Sequence, residues 1–191
     1  MNNKTLGILA MLGAPFMAIG VYVESQYKPL ADSWWTGAWG ILYITAWMGS
    51  MIALIRLGVA GNSRFGRVFP LIVLGTLTIA NVSNVWQLVA PAYKPALFWA
   101  LDMGWPLSNV LMLVFGIAVI AAHRLTGWQR FVPLLCGLWL PMALTTKFWI
   151  PTELGFNLTS AYSAVAWALL ALVVLTTRRL KQPLLSPLPR L

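Results

Sequence analysis

One histidine, one cysteine and four acidic residues are all that the 191 residues hold for metal, thiol or carboxylate chemistry. With His123 alone, a bis-histidine haem and a histidine-rich metal cluster are excluded. With Cys136 alone, so are an intramolecular disulfide, a Cys-x-x-Cys redox pair and a thiolate metal cluster. No GxxxxGK or GxGxxG stretch is present to cradle a phosphate, and no cofactor is expected. Charge of either sign is scarce, at 9% of residues. Such a chain cannot present a water-soluble surface.

What is there is apolar. Sixty per cent of the residues are hydrophobic and mean hydropathy is +0.78. Runs of about 20 apolar residues, each able to cross a ~30 Å hydrocarbon layer as a helix, are predicted at Leu6–Val23, Trp34–Ile55, Phe69–Ala90, Leu97–Ala122, Phe131–Ile150 and Phe156–Thr177. The connections are too short for a soluble domain and make neighbouring spans antiparallel. The predicted fold is all-α: a polytopic membrane protein with a single six-helix transmembrane bundle over residues 1–180. A basic, Pro-rich tail, 181–191, carries Pro183, Pro187 and Pro189 and is expected to be poorly ordered. The start Met1-Asn2-Asn3-Lys4-Thr5 has the cationic character of a signal peptide. Ala14 is followed by Pro15, however, and no small-x-small site follows the apolar core, so the first span is expected to be retained.

Lysine and arginine alternate by connection. Lys4, Arg56, Arg64, Arg67, Arg124, Arg130, Arg178, Arg179, Lys181 and Arg190 fall on one side of the predicted bundle, which is ten of the thirteen cations. Lys28, Lys94 and Lys147 fall on the other. The positive-inside rule then makes both termini cytoplasmic, in the cell membrane, or the inner membrane of a bacterium. The net charge of +9 is a topology signal and an attraction to anionic membrane lipid, not a nucleic-acid footprint. Glu24, Asp32, Asp102 and Glu153 all fall on the non-cytoplasmic side, across the membrane from His123, so no Ser-His-Asp triad can assemble.

Two hairpins share a pattern: IALIRLGVAGNSRFGRVFPLIVLG from Ile52 and IAVIAAHRLTGWQRFVPLLCGL from Ile117. Each has an apolar exit, a basic turn with glycine, then Arg-Phe and a proline (Pro70, Pro133) opening the next helix. Either they are copies of one repeat, or any cytoplasmic hairpin requires the same signals.

The polar residues inside the spans are confined to the non-cytoplasmic half. Asn81, Asn84 and Gln87 recur at three-residue steps and share a face of span three; Asp102, Trp105 and Asn109 share a face of span four. Helical rise puts Asp102 at ~7.5 Å and Lys147 at roughly 6 Å below the same boundary. Lys147 therefore either snorkels to water, pairs with Asp102, competes for Glu153 in the outer loop, or is used chemically, for instance as a Schiff base. Pro15, Pro106 and Pro141 lie within spans and are expected to bend them. Seven of the 11 tryptophans, Trp34, Trp35, Trp39, Trp86, Trp99, Trp105 and Trp149, map to the outer third. They form either an aromatic belt or the wall of a vestibule.

These features suggest an outward-facing polar and aromatic pocket that binds, senses or passes a small molecule or lipid. Asp102, Lys147 and Glu153 would orient charge there; Asn81, Asn84, Gln87 and Asn109 would supply hydrogen bonds; Trp105 and Trp149 would form walls. The apolar cytoplasmic halves offer no polar exit path. One alternative is an accessory subunit, homo-oligomeric or bound to a partner membrane protein, whose polar and small residues (Gly13, Gly20, Gly37, Gly40) hold helices together. A second is an enzyme acting on a lipid, with Asp102 or Glu153 as acid or base.

Overall fold

A computed structural model describes residues 1–177, except for the side chains of Thr152 and Glu153. The predicted basic tail at 181–191 lies outside the described residues. The described residues are 83% helical. Its helices are α1 (Asn3–Gly13), α2 (Phe16–Gln26), α3 (Trp34–Leu57), α4 (Arg64–Val89), α5 (Ala96–Asp102), α6 (Gly104–Ala122), α7 (Val132–Gly137), α8 (Trp139–Trp149) and α9 (Thr152–Thr176), with short 3-10 turns at Lys28–Leu30 and Gly127–Phe131. Five stretches, Asn3–Gln26, Trp34–Leu57, Arg64–Val89, Ala96–Ala122 and Leu154–Thr176, are long and apolar enough to cross a membrane; Gly127–Gly137 and Trp139–Trp149, bent by 50°, make a sixth if they cross as one. This architecture is compatible with a multi-pass integral membrane protein.

Each of the three predicted proline bends has a helix break just before it. The α1–α2 break is at Ala14–Pro15, the α5–α6 break at Met103 lies three residues before Pro106, and the α7–α8 break at Leu138 lies three before Pro141. The proline ring crowds the carbonyl one turn upstream, so the turn before it is where the helix yields. Pro70 behaves differently from the expectation that it opens a helix. The helix begins earlier, at Arg64, because the Ser63 hydroxyl accepts from the Gly66 amide at 3.0 Å, and Pro70 sits inside α4. The two hairpins that echo each other in sequence both close on a left-handed residue, Gly58 (φ 64°) and His123 (φ 50°). They then diverge: Ser63 caps α4 directly, whereas a 3-10 turn intervenes before α7, where Pro133 does occupy the first turn.

Contacts between helices set the register. Asn81 meets Thr45, Ser108 meets Thr76, Trp139 meets Thr159, Cys136 meets Ala166 and Gln129 meets Thr176, so consecutive spans are antiparallel. The first and last spans also touch, at Gly7 and Leu175, closing the ring. α3 and α9 run parallel across the centre, where Tyr43 bonds Ser163 at 2.9 Å and Trp47 meets Trp167 edge-on at 4.8 Å. Met51, Leu54, Leu77, Met112, Phe115 and Leu170 fill the core around this pair. The arrangement puts the turns at 58–63 and 123–131 at one end of the bundle, the basic end. Residues 27–33, 90–95 and 150–151 lie at the other, the acidic end.

Candidate functional site

At the acidic end, carboxylates fasten the loops to the helices. Asp32 adopts a left-handed backbone (φ 57°), a conformation that aspartate tolerates better than most residues. Its carboxylate forms an ion pair with Lys94 and accepts from Gln87 Nε2 at 3.4 Å, while Gln87 also donates to the Ser33 carbonyl at 3.1 Å. The Lys94 ammonium lies 5.3 Å from the Phe98 ring centre and 5.7 Å from that of Trp99, within cation–π range. Trp86 stacks on Tyr93 and donates its indole N–H to the Tyr93 carbonyl at 2.9 Å. On the far side of α3, Glu24 Oε1 accepts from Thr36 at 2.7 Å and from Trp39 at 2.9 Å, joining α2 to α3. Sequence reasoning did not single out Lys94 for this role. The available signal was its setting in Tyr93-Lys94-Pro95-Ala96-Leu97-Phe98-Trp99, a lysine flanked by aromatic rings.

The remaining polar residues are distributed among several interfaces. Asn81 Nδ2 donates to Thr45 Oγ1 at 3.0 Å and Asn84 Nδ2 to Asn81 Oδ1 at 3.4 Å, both on the face of α4 turned to α3. Ser83, on the face turned to α5, bonds Asp102 Oδ1 at 3.3 Å, and Ser108 on α6 bonds Thr76 at 2.8 Å. Asp102 is half-buried. Lys147 is exposed near the end of α8, beside Trp149 at 85% exposure, and no ion pair joins Lys147 to Asp102 among the described residues. Equal depth did not bring those two together, because the 50° bend at Leu138 swings α8 onto α9 and leaves only a thin contact with α6. The Glu153 side chain lies outside the described residues. Trp34 and Trp99 are half exposed. Trp149 is more exposed still, at 85%.

A thermodynamic cycle checks the separation of Lys147 from Asp102. Lys147→Met alone is expected to change stability by less than about 0.5 kcal/mol, as at an unpartnered exposed position. Combined with Asp102→Asn, the effects should add to within about 0.5 kcal/mol. Coupling above that value in thermal denaturation of the detergent-solubilised protein would show that the two charges meet after all.

Once these bonds are assigned, two neighbouring groups are left over. Asn109 is fully buried on α6; its Nδ2 donates back to the Trp105 carbonyl at 3.0 Å, but its Oδ1 has no partner. One turn earlier, the buried Trp105 Nε1 also has none. An acceptor and a donor thus stand unsatisfied on one face of a helix, beside Pro106 and below the α5–α6 break. The Trp105 ring packs against Trp139 of α8 at 4.8 Å, and Trp139 is itself satisfied through the Thr159 carbonyl at 2.9 Å. Trp35, Trp47 and Trp167 also have buried indole nitrogens without a partner, as do Arg130 Nε and Thr177 Oγ1; among these groups only Asn109 and Trp105 put an acceptor and a donor one turn apart on one helix.

The chain matches no protein-family model, no curated protein and no solved structure. Its site must be read from its own chemistry. An amide oxygen and an indole N–H, held four residues apart, complement a group that donates and accepts at once, which is what a hydroxyl does. Leaving either unpaired in a dry interior costs about 1–3 kcal/mol.

Proposed function

We propose that the chain is a six-span protein of the cell membrane with both termini cytoplasmic, binding a hydroxyl-bearing small molecule or lipid in its non-cytoplasmic half. Asn109 and Trp105 would be the polar contacts and Trp139 a wall. The observation that carries this reading is the complementary unpartnered pair, Asn109 Oδ1 and Trp105 Nε1. A membrane interior offers little else to satisfy such groups.

The six-span count rests on α7 and α8 acting as one crossing. Eighteen residues at 1.5 Å each give about 27 Å of helix, which the 50° bend shortens to roughly 23 Å end to end against a ~30 Å hydrocarbon layer. The orientation rests on the cations, since Lys4, Arg56, Arg64, Arg67, Arg124 and Arg130 gather at the basic end. The membrane would be the bacterial inner membrane in a prokaryote.

A second reading, an accessory subunit held together by its polar residues, is favoured by one specific finding. Asn81, Asn84, Gln87 and Asp102 all have internal partners joining α3, α4, α5 and the 27–33 loop. In the proposed function these four are scaffold and the binding contacts narrow to α6 and α8. The expected result is that protein purified from its own membrane carries a hydroxyl-bearing molecule, identified by mass spectrometry of the extract. Asn109→Leu should retain at least tenfold less of it. Equal amounts in both preparations, or none in either, would favour the subunit reading.

A further inference from the structure

α4 begins at the basic end with Arg64, Phe65, Val68, Phe69 and Ile72 around a shallow surface groove. Phe65 and Phe69 are one turn apart and stack, with ring centres 4.6 Å apart and planes 21° apart. Phe65, Val68 and Ile72 are about half exposed, at 49%, 47% and 48%, so the groove opens away from the helix neighbours of α4. The Arg64 guanidinium stands at its rim, exposed and without an acidic partner among the described residues. Arg67, one turn on, is in the same state. Among the described residues the acidic side chains lie at the opposite end of the bundle, so this end is cationic throughout.

The geometry points to a binding site for one anionic phospholipid. An acyl chain would lie along the stacked rings and Ile72, and Arg64 would hold the headgroup phosphate, supported by Arg67. A guanidinium is suited to this because its planar donors match two phosphate oxygens at once. Each basic residue near an anionic leaflet contributes roughly a fivefold preference. The site rests on the chain being embedded in a membrane with its basic end at an interface, and is independent of the binding proposed at Asn109.

The test is lipid retention by the full chain, purified in detergent and incubated with an equal mixture of phosphatidylglycerol and phosphatidylcholine, read by native mass spectrometry. Wild type should retain phosphatidylglycerol about fivefold or more in excess. Arg64→Gln should remove most of that excess. Lys4→Gln, a control on α1 at the same end, should leave it intact. Phe65→Ala should reduce retention of both lipids without changing their ratio. Equal retention of the two lipids by wild type, or an equal loss in Lys4→Gln and Arg64→Gln, would overturn the site in favour of a diffuse field. Displacement of phosphatidylglycerol by millimolar inorganic phosphate would overturn it in favour of a free-anion site. Retention of neither lipid, by a chain that stays soluble without detergent, would overturn the membrane reading as well. Asn109→Leu should not affect the ratio, which separates this site from the binding proposed at Asn109.

Discussion

Replacing Gly37 with alanine is expected to lower the stability of the bundle by about 1–3 kcal/mol, the range found when a methyl group is forced into a packed interface. A Cβ at this position would run into the Leu88 amide nitrogen and Asn84 carbonyl and come within 2.9 Å of Leu88 Cα. These are backbone atoms of a facing helix and cannot rotate away. Gly40, one turn further along α3, faces the Asn84 side chain, so the two glycines form a flat track on which α4 lies. Separating the helices would also lengthen the Asn81–Thr45 bond. Gly75→Ala on α4 provides the opposite sign. Nothing lies within 4 Å of its would-be Cβ, and it occupies an exposed helix interior. Alanine there should raise stability by about 0.5–1 kcal/mol through backbone entropy. Thermal unfolding of the two variants in one detergent separates the clash from any general effect of removing glycine; a destabilising Gly75→Ala together with a neutral Gly37→Ala would refute the close approach of α3 and α4.

Much of this fold is legible in the sequence, because a membrane-spanning helix needs a long apolar run and little else resembles one. The second predicted span, Trp34–Ile55, differs from α3 by two residues at one end. α4 starts at Arg64, ahead of the apolar run at Phe69, since Ser63 and Arg64 are polar and a cap is a local hydrogen bond that hydropathy does not register. The three intraspan prolines announced the bends, but not their directions. That gap decided the candidate site. Depth along a helix follows from counting residues, so the sequence puts Lys147 and Asp102 at one level. The angle around the helix depends on how α8 leaves Leu138, and this is set by packing on α9. Similarly, the common face of Asn81, Asn84 and Gln87 follows from three-residue spacing. Their partners Thr45 and Asp32 belong to α3 and to a loop, and nothing in span three identifies them.

The division of charge takes on a physical meaning once these partners are known. At the acidic end every described carboxylate has a hydrogen-bond partner on another element: Glu24 on α3, Asp32 on α4 and the Lys94 loop, Asp102 on α4. Acids contribute little to membrane orientation, so topology alone does not require them there. Their contacts supply the reason, since each joins segments that the apolar surfaces would leave free to slide. At the basic end Lys4, Arg64 and Arg67 have no such partners among the described residues, and face outward.

Asn109→Leu is expected to give opposite signs in two preparations. In protein retaining its native bound molecule, leucine removes the acceptor that holds a hydroxyl, and stability should fall by about 1–3 kcal/mol. In protein stripped by extensive detergent exchange, the wild-type amide oxygen is buried without a partner, and an apolar side chain of similar volume should be neutral or stabilising. The bond from Asn109 Nδ2 to the Trp105 carbonyl, at 3.0 Å, is lost in both preparations, so it lowers both values alike and leaves the difference between them unchanged. Trp105→Phe removes the indole N–H while keeping an aromatic ring against Trp139, and should show the same reversal. Because both groups would contact one molecule, the double variant should lose less than the sum of the two singles before stripping, and the effects should become additive after it. A substitution at Asn109 that stabilises the native preparation as much as the stripped one would mean that the amide faces a dry, empty interior, and the pocket would have to be abandoned for a purely structural α6–α8 contact.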